Sequence, residues 1–341
     1  ISVFLLGMLT VLGFAPFYLF PVPIITLALL FGFCHSSTTP LKAALMGFGF
    51  GMGLFSAGVT WIYVSLHDFG AMPMPLAVTA LIILCAYLAI FPALSVWILA
   101  KLRLTSSISW ALVAAALWML FEWLRGSLFT GFPWLALGYS QAPYSPLAGF
   151  APIVGVYGIS LLLVLSATLL FLWIDKGVRK WRYGLPLMLI WLTGFCLHMI
   201  DWVRPHGEPI TVSLLQGNIA QDMKWREDHV ENTMETYAKL ILSSDSRLIV
   251  TPEISIPLFS DNVPPLYLSY LTQHARKNTG DVLIGFAERT TNNDDEYYNT
   301  MFSFGTSPEQ SYRKHHLVPF GEFIPLKPIF GWVINVLQIP L

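Results

Sequence analysis

Long apolar runs fill the first two hundred residues and then stop. Stretches almost free of charge lie at about 1–14, 22–35, 41–63, 76–100, 108–124, 150–174 and 184–200. A membrane-spanning helix needs about 20 mostly apolar residues, so the pattern predicts about seven transmembrane helices. The first two runs are short and joined by the proline-rich stretch from Pro16 to Pro23. A re-entrant hairpin is the alternative for that pair. From residue 209 the period changes. Ile210 to Gln216 is β-branched and apolar, which predicts a buried strand. Asp228 to Leu242 places Val230, Met234, Tyr237, Leu240 and Ile241 at helical spacing. Further strands are predicted over 247–250, 282–287, 299–304 and 310–313, a helix over 266–277, and a polar, acidic surface turn over 292–296. Strands alternating with helices, then strands in succession, predict an α/β layered domain.

Composition sharpens this division. Hydrophobic residues make up 55% of the 341 and charged residues 11%, against about 25% charged in soluble domains. The mean hydropathy is +0.63. Most of the charge lies after Asp201. The reading is a membrane domain over 1–203 and a water-soluble domain over 204–341. A net charge of −1 gives no electrostatic case for a nucleic-acid partner. Cys34, Cys85 and Cys196 all lie in apolar runs and offer neither a disulfide framework nor metal-ligand spacing.

Basic residues set the expected orientation. Lys42, then Lys101 and Arg103, then Lys176, Arg179, Lys180 and Arg182 occupy one set of loops, whereas the opposite set holds only Arg125. The basic side is read as cytoplasmic. An odd number of spans then places everything after Asp201 outside the cytoplasm, in the periplasm of a Gram-negative cell.

Candidate chemistry falls in both parts. Glu122 is the one acid within a predicted span, and an intramembrane carboxylate is a functional candidate by default. Arg125 lies one turn away, so a structural ion pair is an equal reading. The outer loop from Thr130 to Gln141 carries Trp134 and Tyr139, either as interfacial anchors or as a lipid-facing substrate loop. In the soluble part, Glu253 closes a strand directly after Pro252, and Lys314 follows another. Chemistry in open α/β sheets gathers beyond the carboxyl ends of strands. A buried Glu and a buried Lys would hold each other charged, one able to take a proton and the other to stabilise an oxyanion. His315 and His316 are adjacent and diverge on a strand, a poor shared metal pair.

These residues carry a resemblance. Leu215-Gln216-Gly217-Asn218-Ile219, Lys224-Trp225, Thr251-Pro252-Glu253, Tyr298-Asn299-Thr300 and Lys314 through Pro325 resemble the carbon–nitrogen hydrolase (nitrilase) superfamily. Trp61-Ile62-Tyr63-Val64-Ser65 and Gly131-Phe132-Pro133-Trp134 extend the likeness to the apolipoprotein N-acyltransferase family. The resemblance implies a multi-span α-helical membrane domain followed by an α/β, nitrilase-like α-β-β-α sandwich outside the cytoplasm, anchored in the bacterial inner membrane. It implies a Glu–Lys–Cys triad in which Glu253 is the general base, Lys314 the oxyanion stabiliser and Glu322 a supporting carboxylate. Trp225 and Asn299 fall on family positions tied to site shape or substrate contact. The implied partners are a phospholipid acyl donor, a diacylglyceryl-apolipoprotein acceptor and the lipid bilayer, with no cofactor and no metal. The implied reaction moves the sn-1 acyl chain through a thioester to the acceptor's α-amine. One departure is plain: no cysteine follows Cys196, and the family's last membrane helix is missing. The expectation is a chain truncated at both ends, lacking the nucleophile and inactive by itself. Two rivals remain: a membrane-tethered nitrilase-type amidase, which needs one helix and not seven, and a transporter or receptor, which needs polar groups lining the spans.

Overall fold

The computed structural model describes residues 1–318 and Glu322, apart from 37–38, 176–180, 221–222, 225 and 291–292, with the backbone alone at Glu227 and 293–296. The chain divides into two compact units, Ile1–Arg204 and Pro205–Phe323.

The first unit is helical: α1 (Ser2–Thr10), α2 (Pro21–His35), α3 (Pro40–Gly58), α4 (Trp61–Val64), α5 (Met74–Lys101), α6 (Ser107–Arg125), α7 (Ala151–Asp175) and α8 (Trp181–His198). Four of the described helical stretches are long and apolar enough to cross a bilayer: α3, α5, α6 and Pro146–Asp175. Ser2–Gly13 and Pro21–His35 are apolar but shorter. Helix therefore covers each of the seven apolar runs, while four reach spanning length and hydropathy. The run over 41–63 breaks after Gly58 and resumes as α4 and a single π-turn, Ser65–Phe69. A buried hydroxyl pair, Thr10 to Thr26 at 2.7 Å, ties α1 to α2.

Four alternate glycines explain why α3 lies between two neighbours. A Cβ on Gly53 would lie 1.9 Å from the Phe4 carbonyl of α1, and one on Gly51 would lie 2.8 Å from the Ala89 backbone of α5. One on Gly47 would meet the Pro92 carbonyl of α5 at 2.8 Å, and one on Gly49 would face the Val3 side chain of α1 at 3.2 Å. Lipid supplies no hydrophobic drive between helices, so small residues that let backbones touch carry the packing.

The second unit holds one five-stranded sheet in the order β1-β2-β3-β4-β5. Its strands are β1 (Val212–Leu214), β2 (Leu248–Val250), β3 (Asp281–Thr290), β4 (Asn293–Gly305) and β5 (Gln310–Arg313). β1, β2 and β3 are parallel, and β3, β4 and β5 antiparallel. The parallel pairs are linked by α9 (Glu227–Leu242) and α10 (Pro265–Lys277). Tyr237 and Ile241 of α9 and Leu271 and Ala275 of α10 pack with Ile249, Val282, Ile284 and Phe286. Two expectations change. The strand read as buried over 210–216 is short, and its Val212 and Leu214 are exposed, because the helices cover one face of the sheet. The acidic stretch read as a turn lies in β4 from Asn293 onward. Asn293 pairs with Thr290 and Tyr297 with Arg289, so 294–296 sit in a register shift between two antiparallel pairs and not in a free turn.

Candidate active site

Glu253 owes its position to a tight crossing. β2 ends at Val250, and the Thr251 N–H still donates to the Leu283 carbonyl at 3.0 Å. The chain then folds over β3. Thr251 and Ser255 hydroxyls bond at 2.7 Å, and Ile254 takes φ 42°, a conformation costly for a β-branched residue. Gly285 lies beneath. A Cβ there would come within 2.6 Å of the Ile254 nitrogen and 2.7 Å of the Pro252 oxygen. Lys224 holds the turn from the other side, its Nζ donating to the Glu253 carbonyl at 3.1 Å. Burial outweighs the pull of Glu253 and lowers the Lys224 pKa from the ordinary lysine value.

Lys314 arrives from the last strand. Its N–H donates to the Asn299 carbonyl at 2.8 Å, so the β4–β5 ladder runs one residue past Arg313. Successive side chains on a strand point to opposite faces. Arg313 is held on one face by a two-pronged bond to Glu288, at 2.7 and 2.9 Å, with Thr300 also donating to Glu288 at 2.9 Å. The Arg313 hydrogen bonds hold the Glu288 carboxyl below its usual range. Lys314 is thereby sent to the opposite face.

There its ammonium bridges two carboxylates: Nζ donates to Glu253 at 3.1 Å and to Glu322 at 2.7 Å. The second Glu322 oxygen accepts from the Val318 N–H at 2.7 Å, and the Asn299 amide donates to the same Glu253 oxygen that Lys314 reaches. Four residues from three separate stretches thus converge. Burial pulls the Lys314 pKa down, but the bonds and charges of Glu322 and Glu253 outweigh it, and the net shift is upward. The expectation of a buried acid needs correcting: the Glu253 side chain is 59% exposed, against 30% for Lys314 and 25% for Glu322. Glu253 stays open because Lys314 and Asn299 both meet its Oε1, leaving the other oxygen uncovered. A carboxylate with one edge free and an ammonium fixed beside it can take a proton from an incoming acid and stabilise a nearby oxyanion.

Trp225 lies outside the described residues. Trp134 and Tyr139 belong to the first unit and are described within it. Both are exposed, and the Trp134 ring lies 5.2 Å from that of Trp61. Reasoning from sequence missed Lys224 and Gly285 as parts of the Glu253 turn. A lone glycine inside a strand is a signal of close backbone approach; Lys224 gave none beyond its place beside Trp225.

Comparison with known proteins gives a consistent result. Residues 6–169 match the family described as the apolipoprotein N-acyltransferase N-terminal domain, and residues 211–330 match carbon-nitrogen hydrolase. The chain is 64% identical over 341 residues to an apolipoprotein N-acyltransferase of Nitrosomonas europaea, covering all of this chain and 68% of that protein. It is 38% identical over 339 residues to one of Chromobacterium violaceum (99% and 65% covered) and 41% identical over 342 residues to one of Methylococcus capsulatus (98% and 66%). The chain spans about two thirds of the length of these relatives.

Proposed function

The chain belongs to the apolipoprotein N-acyltransferase family, and on that premise we propose that Glu253, Lys314 and Glu322 form the acyl-transfer centre of a lipoprotein N-acyltransferase. The observation that carries this reading is the Lys314 ammonium held between the two carboxylates.

The reaction is ping-pong acyl transfer. Glu253 takes the proton of a cysteine thiol, and the thiolate attacks the sn-1 ester carbonyl of a phospholipid. Lys314 stabilises the tetrahedral oxyanion. The C–O bond breaks, the proton returns to the leaving oxygen, and lysophospholipid departs. The α-amine of a diacylglyceryl-apolipoprotein cysteine then attacks the thioester. Its proton passes to the thiolate through Glu253, and the N-acylated product leaves. Glu322 positions Lys314, and Asn299 orients Glu253. The thiol is assigned to a part of the full-length protein outside these 341 residues. Cys34 and Cys85 are buried among the helices of the first unit, and Cys196 lies on the apolar helix α8. Trp134 and Tyr139 are assigned to contact with the lipid substrate, and Trp225 to the shape of the site. All of this chemistry uses side chains alone.

We place the helices in the bacterial inner membrane, with the second unit on the periplasmic side, on the strength of the loop charges. Both substrates are acyl-anchored, and the apolar helices keep the enzyme in the same bilayer.

The test uses the full-length protein and an alkyne-tagged phospholipid. Glu253→Gln and Lys314→Ala each lower acyl-thioester formation by about 10²-fold or more, the scale on which loss of a transition-state contact is felt. Thioester formation at the wild-type rate in either variant refutes the assignment.

A further inference from the structure

Glu122 and Arg125 are the only charged residues among the described ones that are buried, at 5% and 3% exposure. They lie one turn apart at the end of α6, and their closest nitrogen–oxygen distance is 3.9 Å. That is too long for a hydrogen bond, and each group is bonded elsewhere. Arg125 Nη1 donates to the carbonyls of Phe132 and of Trp134, both at 2.7 Å. The Phe132 N–H donates back to the Arg125 carbonyl at 2.8 Å. The Leu137 N–H donates to Glu122 Oε1 at 2.8 Å. The last turn of α6 therefore grips both ends of the segment 132–137. On its other side the guanidinium lies 5.1 Å from the centre of the Phe55 ring of α3.

A buried ion pair is a poor device for stability alone, since apolar residues of similar volume often serve as well or better. Besides the Ser160 and Trp118 side chains that reach Glu122, the pair bonds to the backbone of Phe132, Trp134 and Leu137, and those three bonds fix one segment. Leu135 is held at φ 59° and buried with Ala136 and Leu137. Trp134, one residue earlier, is turned outward, 49% exposed, against the equally exposed Trp61. We propose that Glu122 and Arg125 are positioning residues that act on the reaction through Trp134, by fixing the backbone from which its indole is presented to the lipid substrate. The proposal rests on the acyl-transfer reading above.

The experiment uses the full-length enzyme in mixed micelles, with palmitoyl-oleoyl phosphatidylethanolamine as donor and a diacylglyceryl lipopeptide as acceptor. Arg125→Lys keeps the charge but ends one bond short of the Nη1 position that reaches both carbonyls. It raises the KM for phospholipid about tenfold with little change in kcat, a loss of positioning and not of chemistry. Trp134→Ala has the same signature. The double variant is no worse than Trp134→Ala alone, because the two residues act in one chain of contacts. The burst of p-nitrophenol from p-nitrophenyl acetate, which needs no lipid contact, is unchanged in Arg125→Lys. Glu122→Gln, which keeps an acceptor for the Leu137 N–H, gives a smaller KM rise of the same kind and serves if the arginine variant does not fold. An unchanged KM in both the arginine and the glutamine variants, additive effects in the double variant, or a parallel fall in the ester burst overturns the proposal. Wild-type enzyme that forms no lipid-derived thioester at all overturns the acyl-transfer reading itself.

Discussion

Lys314 is a lysine whose charge is set by its neighbours. Burial disfavours the ammonium, yet Glu322 and Glu253 hold its pKa above the ordinary value, which is about 10.4 in model peptides. A pKa raised this way keeps the group charged up to its folded value, and the contribution is lost as pH rises through that value. Glu322→Gln removes the shorter of the two ionic contacts, so the Lys314 pKa falls. The alkaline limb of the pH profile for acyl-thioester formation then moves to lower pH than in the parent enzyme. A limb that stays in place would show that Glu322 does not govern the lysine. At this scale the sequence was informative where a residue follows a strand directly. Glu253 after Thr251-Pro252 and Lys314 after Gln310–Arg313 were both readable as sheet-end groups. The Lys224 bond to the Glu253 carbonyl was not readable, because a backbone acceptor leaves no mark on residue type.

Gly285 shows how an element is built around a single missing carbon. The Glu253 turn crosses β3 at that residue, and the atoms a methyl group would strike are backbone, which cannot swing aside. Gly285→Ala displaces the turn and costs about 1–3 kcal/mol, the usual range for forced overpacking. Thermal unfolding measures the stability loss, and acyl-thioester formation falls with it. Ser303→Ala in the neighbouring β4 leaves both unchanged. A Gly285→Ala enzyme with parent stability and rate would mean that the crossing is looser than the close contacts imply. Most elements of the second unit could be read from period and β-branching alone. The helix over 228–242 and the strand over 310–313 are cases in point. The start of β4 at Asn293 could not, since that residue pairs with Thr290 across a register shift that skips 294–296, which no hydrophobic pattern marks. In the first unit the apolar runs announced helices. The break after Gly58, which frees Trp61 to meet Trp134, did not show against a run that stays apolar to Tyr63.

The proposed orientation of the whole molecule is open to a direct check. His206→Cys and Thr105→Cys, each made with Cys196→Ser and with the proposed nucleophilic cysteine of the full-length protein replaced by serine, are treated with a membrane-impermeant maleimide in spheroplasts. The cysteine at 206 is labelled at once, and the one at 105, beside Lys101 and Arg103, only after lysis. The reverse pattern would invert the assignment of sides. The two units also differ in what holds them. Alternate glycines along α3 bring main chains together, so the cohesion of the membrane part is short-range attraction between touching atoms. That force is indifferent to ionic strength and proton activity. The carboxylates and ammonium of the second unit are reached by water and respond to both. Salt and pH should therefore silence the chemistry well before they loosen the helical slab, and an enzyme inactivated by either should recover when the original solution is restored.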